Sequence, residues 1–527
     1  MMVYINIDDF IMAMNHYSIE EIKLENDKQY EELINILKLN LSDEKNGKFS
    51  YALGYFYKNG IGVTKNIKKA IMYFDISAQK GNDEAQVLMG YFYEIGYGVK
   101  MNLQEAIKWY TKAANNKNIK AQSNLGSLYL RLGGNENNSL AIKWLMMSAV
   151  LNDRDAQYNL AICYRDGTGV LKDLNNFIFW IKKAADNKNS YAINTLGESY
   201  LAGVGVEVDY NKGYNYIFSS AMMNNVNAQF NLGTLYINGI GIEQNFENSF
   251  YWFLEASKNN DRVSQCNVGY MYEHGIGTKR NIEKALFWYQ KAIDQNESRA
   301  MVNLASIYLY NDKYKNYDTA LELLLKAEKL GNTYAYFYIG EYYLLKEDIQ
   351  EALCWYNKSI SYKDANSMVK LGMLYEKGLE INKDDYMAFY WYNEAMKNDD
   401  DEGAFNLGRC YYYGIGTKKN SDLAIKYFKM SSKLENGEAS YYLGLIYIEN
   451  IIVNPNYKKA YNYFKLSIKQ ESFSGYYGLA ICYLEGINVK PNIKKAIKNL
   501  NIALDNGIKD IYNLKDKLEG LNILNKC

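Results

Sequence analysis

At 527 residues the chain is too long for one ordinary globular core, so several domains or a repeat array are expected, and its 2 prolines leave room for long uninterrupted helices. The 60 basic and 60 acidic residues cancel, which removes the electrostatic footprint of a DNA- or RNA-binding protein and offers no polybasic membrane patch. The excess of Asn, Lys, Ile and Tyr, with 53 tyrosines, fits an AT-rich genome as well as a function.

Met1 to Phe10 carries Asp8 and Asp9 and lacks a basic region followed by an apolar run, so the start of the 1–46 segment does not read as a secretory signal. No stretch of the chain approaches the roughly 18 apolar residues of a membrane span. Within this segment Tyr30 to Leu41 is apolar at helical spacing and is expected to form an N-terminal cap.

From residue 47 to 507 the chain repeats itself. A small residue inside "LG.(Y/L)Y" recurs thirteen times, from Gly54 to Ala480, at gaps of 32, 35 or 36 residues. Three residues after each of these first anchors stands a tyrosine, from Tyr57 to Tyr483. A second anchor, usually alanine, runs from Ala70 to Ala496, and Asn or Asp always stands four residues before it, as a helix N-cap requires. Three residues after it lies an aromatic in eleven of the thirteen repeats, and all seven tryptophans hold this position. These spacings put each set on one face of a helix, so each unit reads as helix A, turn, helix B, with small anchors permitting close approach and Tyr and Trp filling the space between. The turn commonly reads G-x-G, as at Gly60/Gly62 and Gly414/Gly416, where glycine ends a helix in the left-handed region. From every second anchor to the next first anchor is 20 residues, whereas the distance within a repeat is 16, 15 or 12. A constant joint propagates one rotation per repeat. Beyond the last repeat, residues 508–527 are expected to form a C-terminal capping helix.

The pattern resembles the Sel1-like repeat family, relatives of tetratricopeptide repeats, from about Phe49 to Gly507, with GYFYEIGYGVKMNLQEAIKWYTKAA at 90–114 especially close. The fold expected is all-α: a right-handed superhelical solenoid of thirteen antiparallel helix–turn–helix repeats, irregular at repeats eight and nine, about residues 300–360. The resemblance implies a protein–protein interaction scaffold or adaptor rather than an enzyme. Members of the family act as adaptors in membrane-protein degradation, as activators of cell-wall synthases, and as bacterial or giant-virus proteins that engage host factors. A regulator of a membrane-associated complex is therefore one alternative. A secreted cysteine-rich branch, linked to penicillin binding or β-lactamase-like activity, is the other.

No catalytic, cofactor-binding or metal-binding residue is assigned from the sequence. G-x-G here follows a helix and lacks a third glycine, so it is a turn and not a nucleotide loop. The two histidines, His16 and His274, and six cysteines without a CxxC pair assemble no zinc site. No repeat holds two cysteines, so Cys163, Cys410 and Cys482, each two after a first anchor, read as small apolar packers in an intracellular, cytoplasmic protein. The acidic run Asp399 to Glu402 reads as a solvated loop between helices. The candidate surface is the helix A wall, at positions three before, one after and four after each first anchor. There stand Tyr51, Tyr55, Tyr91, Tyr158, Arg165, Phe230 and Tyr270, then Phe337, Phe405, Arg409, Tyr412, Tyr441 and Tyr477. Aromatic and Arg side chains are the usual anchors of recognition surfaces. Protein or peptide partners are expected, with no nucleic acid, no membrane insertion and no cofactor; the oligomeric state is left open.

Overall fold

The computed structural model describes residues 27–42, 44, 46–378, 381–448 and 455–509, together with 3–4, 22–24, 514 and 517. His16, Cys527 and most of the expected C-terminal helix lie outside the described residues. Those described form 27 helices and one parallel pair of two-residue strands, β1 (Val3–Tyr4) and β2 (Ile22–Lys23). Helix α1 (Asp27–Leu39) buries Leu33, Ile34 and Leu37 against Leu53 and Phe56 of the first repeat. Repeat one is α2 (Lys48–Asn59) and α3 (Ile67–Gln79); even numbers are helix A and odd numbers helix B, through α26 (Ser474–Glu485) and α27 (Ile493–Asp505). The chain forms two compact units, residues 1–280 and 281–527.

Asn or Asp begins helix B as the sequence predicts, in twelve repeats. Asn66 accepts from the Lys69 amide at 3.0 Å, and the same bond recurs from Asn102 to Asn492. Repeat three departs from the expectation. Gly133 and Gly134 both take positive φ, helix α7 (Asn135–Ala149) starts earlier, and Asn137 lies inside it with its amide bonded back to the Gly133 carbonyl. Helix A has caps that the sequence reading missed, eight residues before the first anchor: Asn82, Asn118, Asp153, Asn189 and Asn225 each accept from an amide three residues on.

The residue preceding that cap explains the constant joint. At all twelve joints it has positive φ, glycine at Gly81 and Gly331 and otherwise residues such as Lys117, Asn152 and Asp399. The amide after it bonds back into helix B, as from Asn118 to the Ala113 carbonyl at 3.1 Å. One left-handed residue between two helices fixes both length and angle. Buried glutamines tighten the same joint: Gln86 and Gln157 donate to Ala78 and Ala149 carbonyls, each at 3.0 Å. The second glycine of G-x-G has a different task. A Cβ on Gly169 would stand 2.6 Å from the Asn138 carbonyl oxygen in the preceding repeat's helix B, so only glycine allows this approach.

Each core is local, between helix B of one repeat and the helices on either side, as repeat arrays require. The deepest side chain is four residues after the second anchor: Phe74, Tyr110, Tyr356, Tyr392, Phe428 and Phe464 are fully buried. Each of these rings faces a glycine anchor; a Cβ on Gly90 would meet the Tyr110 ring at 2.6 Å. Where the anchor is Ala161, Ala305 or Ala480, the facing residue is the smaller Ile181, Leu324 or Leu500. Alanine thus stands only opposite an aliphatic side chain and never opposite a ring, although Gly126 and Gly197 face the aliphatic Leu145 and Ile217 as well. The repeated tyrosine stacks instead on the aromatic three after the second anchor: Tyr200 on Tyr216 at 5.7 Å and 3°, Tyr447 on Tyr463 at 5.8 Å and 3°.

Candidate interaction surface

Helices A crowd together. Neighbouring helices A touch between α6 (Ile119–Leu132) and α8 (Arg154–Asp166), between α16 (Ser298–Tyr310) and α18 (Tyr334–Leu345), between α20 (Ala365–Lys377) and α22 (Asp401–Tyr413), and between α24 (Gly437–Ile448) and α26. Adjoining helices B show no comparable approach among the described residues. The helix A side is thus locally the inner side of each stack.

On that wall the residues singled out from sequence fare unequally. In the first unit Tyr91 and Tyr270 are 46% and 45% exposed, and the Tyr270 ring lies 4.2 Å from the ring of His274. Tyr51, Tyr55, Tyr158 and Phe230 are half-buried; Tyr51 sits edge-on to Phe74 at 5.5 Å, and Phe230 packs on Phe253 at 5.7 Å. Arg165 is clamped by its neighbour Asp166 through two bonds of 2.8 and 3.0 Å. In the second unit Phe337 is half-buried against Tyr356. Tyr441 and Tyr477 are buried, at 6% and 0% exposure, and present no surface; the same position is buried at Val87, Ser123, Asn194, Cys266, Val302 and Val369, so in most repeats it faces the core.

Phe405, Arg409 and Tyr412 are brought together on α22, and Tyr442 from the next repeat joins them: its ring lies 5.6 Å from Phe405 and 6.1 Å from Tyr412. Arg409 bonds Glu376 at 2.9 Å and the Asn406 side chain at 2.8 Å. Burial works against its charge, but the ion pair with Glu376 outweighs this and holds the guanidinium above its usual value.

Glu376 belongs to a feature not anticipated from sequence. Its carboxylate accepts from the buried Tyr392 hydroxyl at 2.7 Å and from Arg409 of the following repeat. Glu94 repeats the arrangement with Tyr110, at 2.6 Å, and Arg131. Glu341, only 4% exposed, gathers three donors: Tyr356 at 2.5 Å, Tyr310 of the repeat before at 2.6 Å, and Lys370 of the repeat after at 3.1 Å. Burial first, then the neighbouring carboxylate, pushes the hydroxyls of Tyr110, Tyr356 and Tyr392 above the ordinary phenol value. A sequence signal exists: a tyrosine occupies this core position in repeats two, seven, nine and ten, and glutamate stands four after the first anchor in two, seven and ten and one after it in nine, at Glu341. Repeats with Phe, Leu or Ile there have no acid four after it.

Thirteen segments match the family model of the Sel1 repeat, at residues 49–82, 83–118, 119–152, 154–189, 190–225, 226–261, 262–297, 298–332, 333–361, 365–400, 401–436, 437–472 and 474–508. The chain belongs to the Sel1 repeat family. Among solved structures it is similar to a protective antigen of uropathogenic Escherichia coli displaying an SLR fold, at 25% identity over 84% of this chain and 96% of that one, with a TM-score of 0.63. A Sel1 repeat protein from Oxalobacter formigenes is 23% identical over 52% of this chain and 99% of its own, with a TM-score of 0.36. An immunity protein from Pseudomonas aeruginosa is 18% identical over 40% and 81%, with a TM-score of 0.32. No curated protein matches.

Other chemistry in the Sel1 repeats is sparse. Cys163, Cys266, Cys354, Cys410 and Cys482 are free thiols, and all but Cys354 are buried. Burial pushes the Cys163 thiol up to about 11 and those of Cys410 and Cys482 up to about 12, which removes thiolate character. Among the described residues no three His, Cys, Asp or Glu are placed to hold a metal ion, and no helix is long and apolar enough to cross a membrane. The acidic run is not the solvated loop expected. Asp399 is the left-handed joint residue, Asp400 caps α22 through the Gly403 amide at 2.5 Å, and Asp401 and Glu402 form its first turn. Burial, then neighbouring carboxylates, raises the Asp400 and Glu402 carboxyls. The exclusion of any polybasic surface, drawn from zero net charge, also needs correction: the helices B of the last three repeats carry ten exposed lysines.

Proposed function

We propose that this Sel1 repeat chain is a protein-interaction scaffold whose helix A wall holds polypeptide partners, with no catalytic step of its own. The observation that carries this reading is the Phe405–Arg409–Tyr412–Tyr442 cluster. A guanidinium and three partly exposed rings stand on one wall, and Glu376 fixes the guanidinium before any partner arrives. Rigid aromatic and Arg groups lose little entropy on binding and are common hot spots. Tyr413, 48% exposed, borders the same patch. The rival reading, an enzyme of the cysteine-rich secreted branch, depends on disulfides within repeats; the free thiols lend it no support. The test compares partners captured from a native lysate by the intact chain and by an Arg409→Ala/Tyr412→Ala/Tyr413→Ala variant. Loss of specific partners from a folded variant is expected. Retention of all partners at the same strength would overturn this assignment of the wall.

A further inference from the structure

Charge that cancels over the whole chain separates in space near its C-terminal end. In repeat eleven, α23 (Ser421–Lys433) exposes Lys426, Lys429 and Lys433. In repeat twelve, α25 (Tyr457–Lys469) exposes Lys458, Lys459, Lys465 and Lys469. In repeat thirteen, α27 exposes Lys494, Lys495 and Lys498. Only Asp422 and Asp505 oppose these ten on the three helices. Because the repeat length is 36, lysines stand at matching heights on neighbouring helices: 429 beside 465, 433 beside 469, 458 beside 494. None of the ten makes an ion pair among the described residues, whereas Lys108, Lys212, Lys258, Lys358 and Lys397 on earlier helices B each do, Lys358 with Glu328 at 2.9 Å.

We propose that this helix B face of repeats eleven to thirteen binds an acidic polypeptide segment, one rich in Asp and Glu, separately from the helix A wall. A field of ammonium groups without carboxylate partners, four of them over tyrosine rings, is complementary to a run of carboxylates and would steer its approach. The surroundings disfavour other polyanions. No arginine follows Arg409, so the bidentate phosphate grip is missing. Ring faces that a nucleobase would stack on are already covered: Tyr427 lies between Tyr411 and Lys426, and Tyr447 between Tyr463 and Lys459. Only two large apolar residues on or capping these helices are exposed, Leu434 and Tyr457, one beside Lys433 and one beside Lys458, so a bilayer gains little inserted apolar surface.

The experiment titrates the full chain into a fluorescently labelled 20-residue polyglutamate, a 20-residue oligo-dT, and vesicles of phosphatidylcholine with phosphatidylserine. A sextuple variant replaces Lys426, Lys429, Lys465, Lys469, Lys494 and Lys498 by Gln, with circular dichroism as the check on folding. A control variant carries Lys→Gln at Lys68, Lys108, Lys143, Lys182, Lys291 and Lys326. Polyglutamate binding should weaken at least about tenfold in the sextuple variant, since each exposed pair contributes a small share and six are removed, and should hold in the control. Raising salt should weaken the unmodified chain in the same direction, which keeps the test valid if the variant misfolds. No polyglutamate binding, equal loss in both variants, or tighter binding of oligo-dT or vesicles would overturn the proposal. Loss of lysate partners in the wall variant with polyglutamate binding intact separates this face from the wall.

Discussion

Replacing Glu341 by leucine takes one acceptor from three donors that belong to three successive repeats. One of the donors can turn to water, since the Lys370 side chain is 33% exposed; Tyr356 cannot, being fully buried, and burial raises the Tyr310 hydroxyl as well although the residue is 48% exposed. A hydrogen bond to a charged group contributes about 1.5–3 kcal/mol, and a buried hydroxyl left without a partner costs about 1–3 kcal/mol. Glu341→Leu should therefore destabilise this region by about 3–5 kcal/mol, as breaking a buried ionic network does. Tyr356→Phe alone should cost about 1.5–3 kcal/mol, because the carboxylate keeps two donors. In the Glu341→Leu background the same substitution should instead recover about 1–3 kcal/mol, a coupling of at least about 2 kcal/mol. A repeat array does not unfold in two states, so the readout is hydrogen exchange of amides in α18, α19 (Ile349–Ile360) and α20, supported by denaturant midpoints. Additivity of the two substitutions within about 0.5 kcal/mol would refute the reasoning.

Gly169→Ala meets both a positive φ and the Asn138 carbonyl, and should cost more than about 3 kcal/mol, whereas Gly81→Ala, with positive φ but nothing within 4 Å, should cost about 1–2 kcal/mol; thermal unfolding distinguishes them. The raised phenols of Tyr110, Tyr356 and Tyr392 contribute stability that is complete below the ordinary value of 10.0 and is lost as pH rises above it, so the chain should unfold progressively under alkali, and Tyr392→Phe should flatten that dependence in a circular dichroism titration. The raised carboxyl of Glu402 works likewise: its contribution is complete below the unfolded value near 4.5 and is lost as pH rises through the higher folded value. Glu402→Gln should therefore stabilise near neutral pH, by less than about 1 kcal/mol, and have no effect under acid. In a thiol-reagent assay Cys354 should react at once in the native chain, with Cys163, Cys410 and Cys482 reacting after unfolding; rapid native reaction of all of them would contradict their burial.

The repeat was legible because each of its parts has a single structural task that few residues can perform. A small residue that must face a large core side chain, an aspartate or asparagine that must cap helix B, and a joint of fixed length leave marks at fixed spacing. The helix A caps leave equal marks, Asn82 to Asn225 among them, but they lie eight residues from the nearest anchor, outside the apolar pattern that defines the register. Repeat three misled for a physical reason: a glycine pair can start a helix early, and Asn137 looks the same in sequence whether it caps or lies inside. The wall was less legible. Tyr441 and Tyr477 share a sequence position with the half-exposed Tyr51 and Phe405, and the packing of each repeat, not the residue type, decides which of them faces outward.

Net charge misled most, and the reason bears on how such a chain can carry function. The core constrains the anchors, the side chain facing them, the caps and the joint; it leaves most wall positions of helix A and the outer stripe of helix B free. Substitution there changes a surface without disturbing the register of the array, so neighbouring repeats can diverge in charge while their cores stay alike. Repeats nine and ten used that freedom to place Glu341 and Glu376 against tyrosines that their cores already contained, tying a wall group to an interior one. Repeats eleven to thirteen used it for lysines without carboxylate partners on the opposite side. A sum over 60 cations and 60 anions registers neither, because the information lies in which helix face each charge occupies.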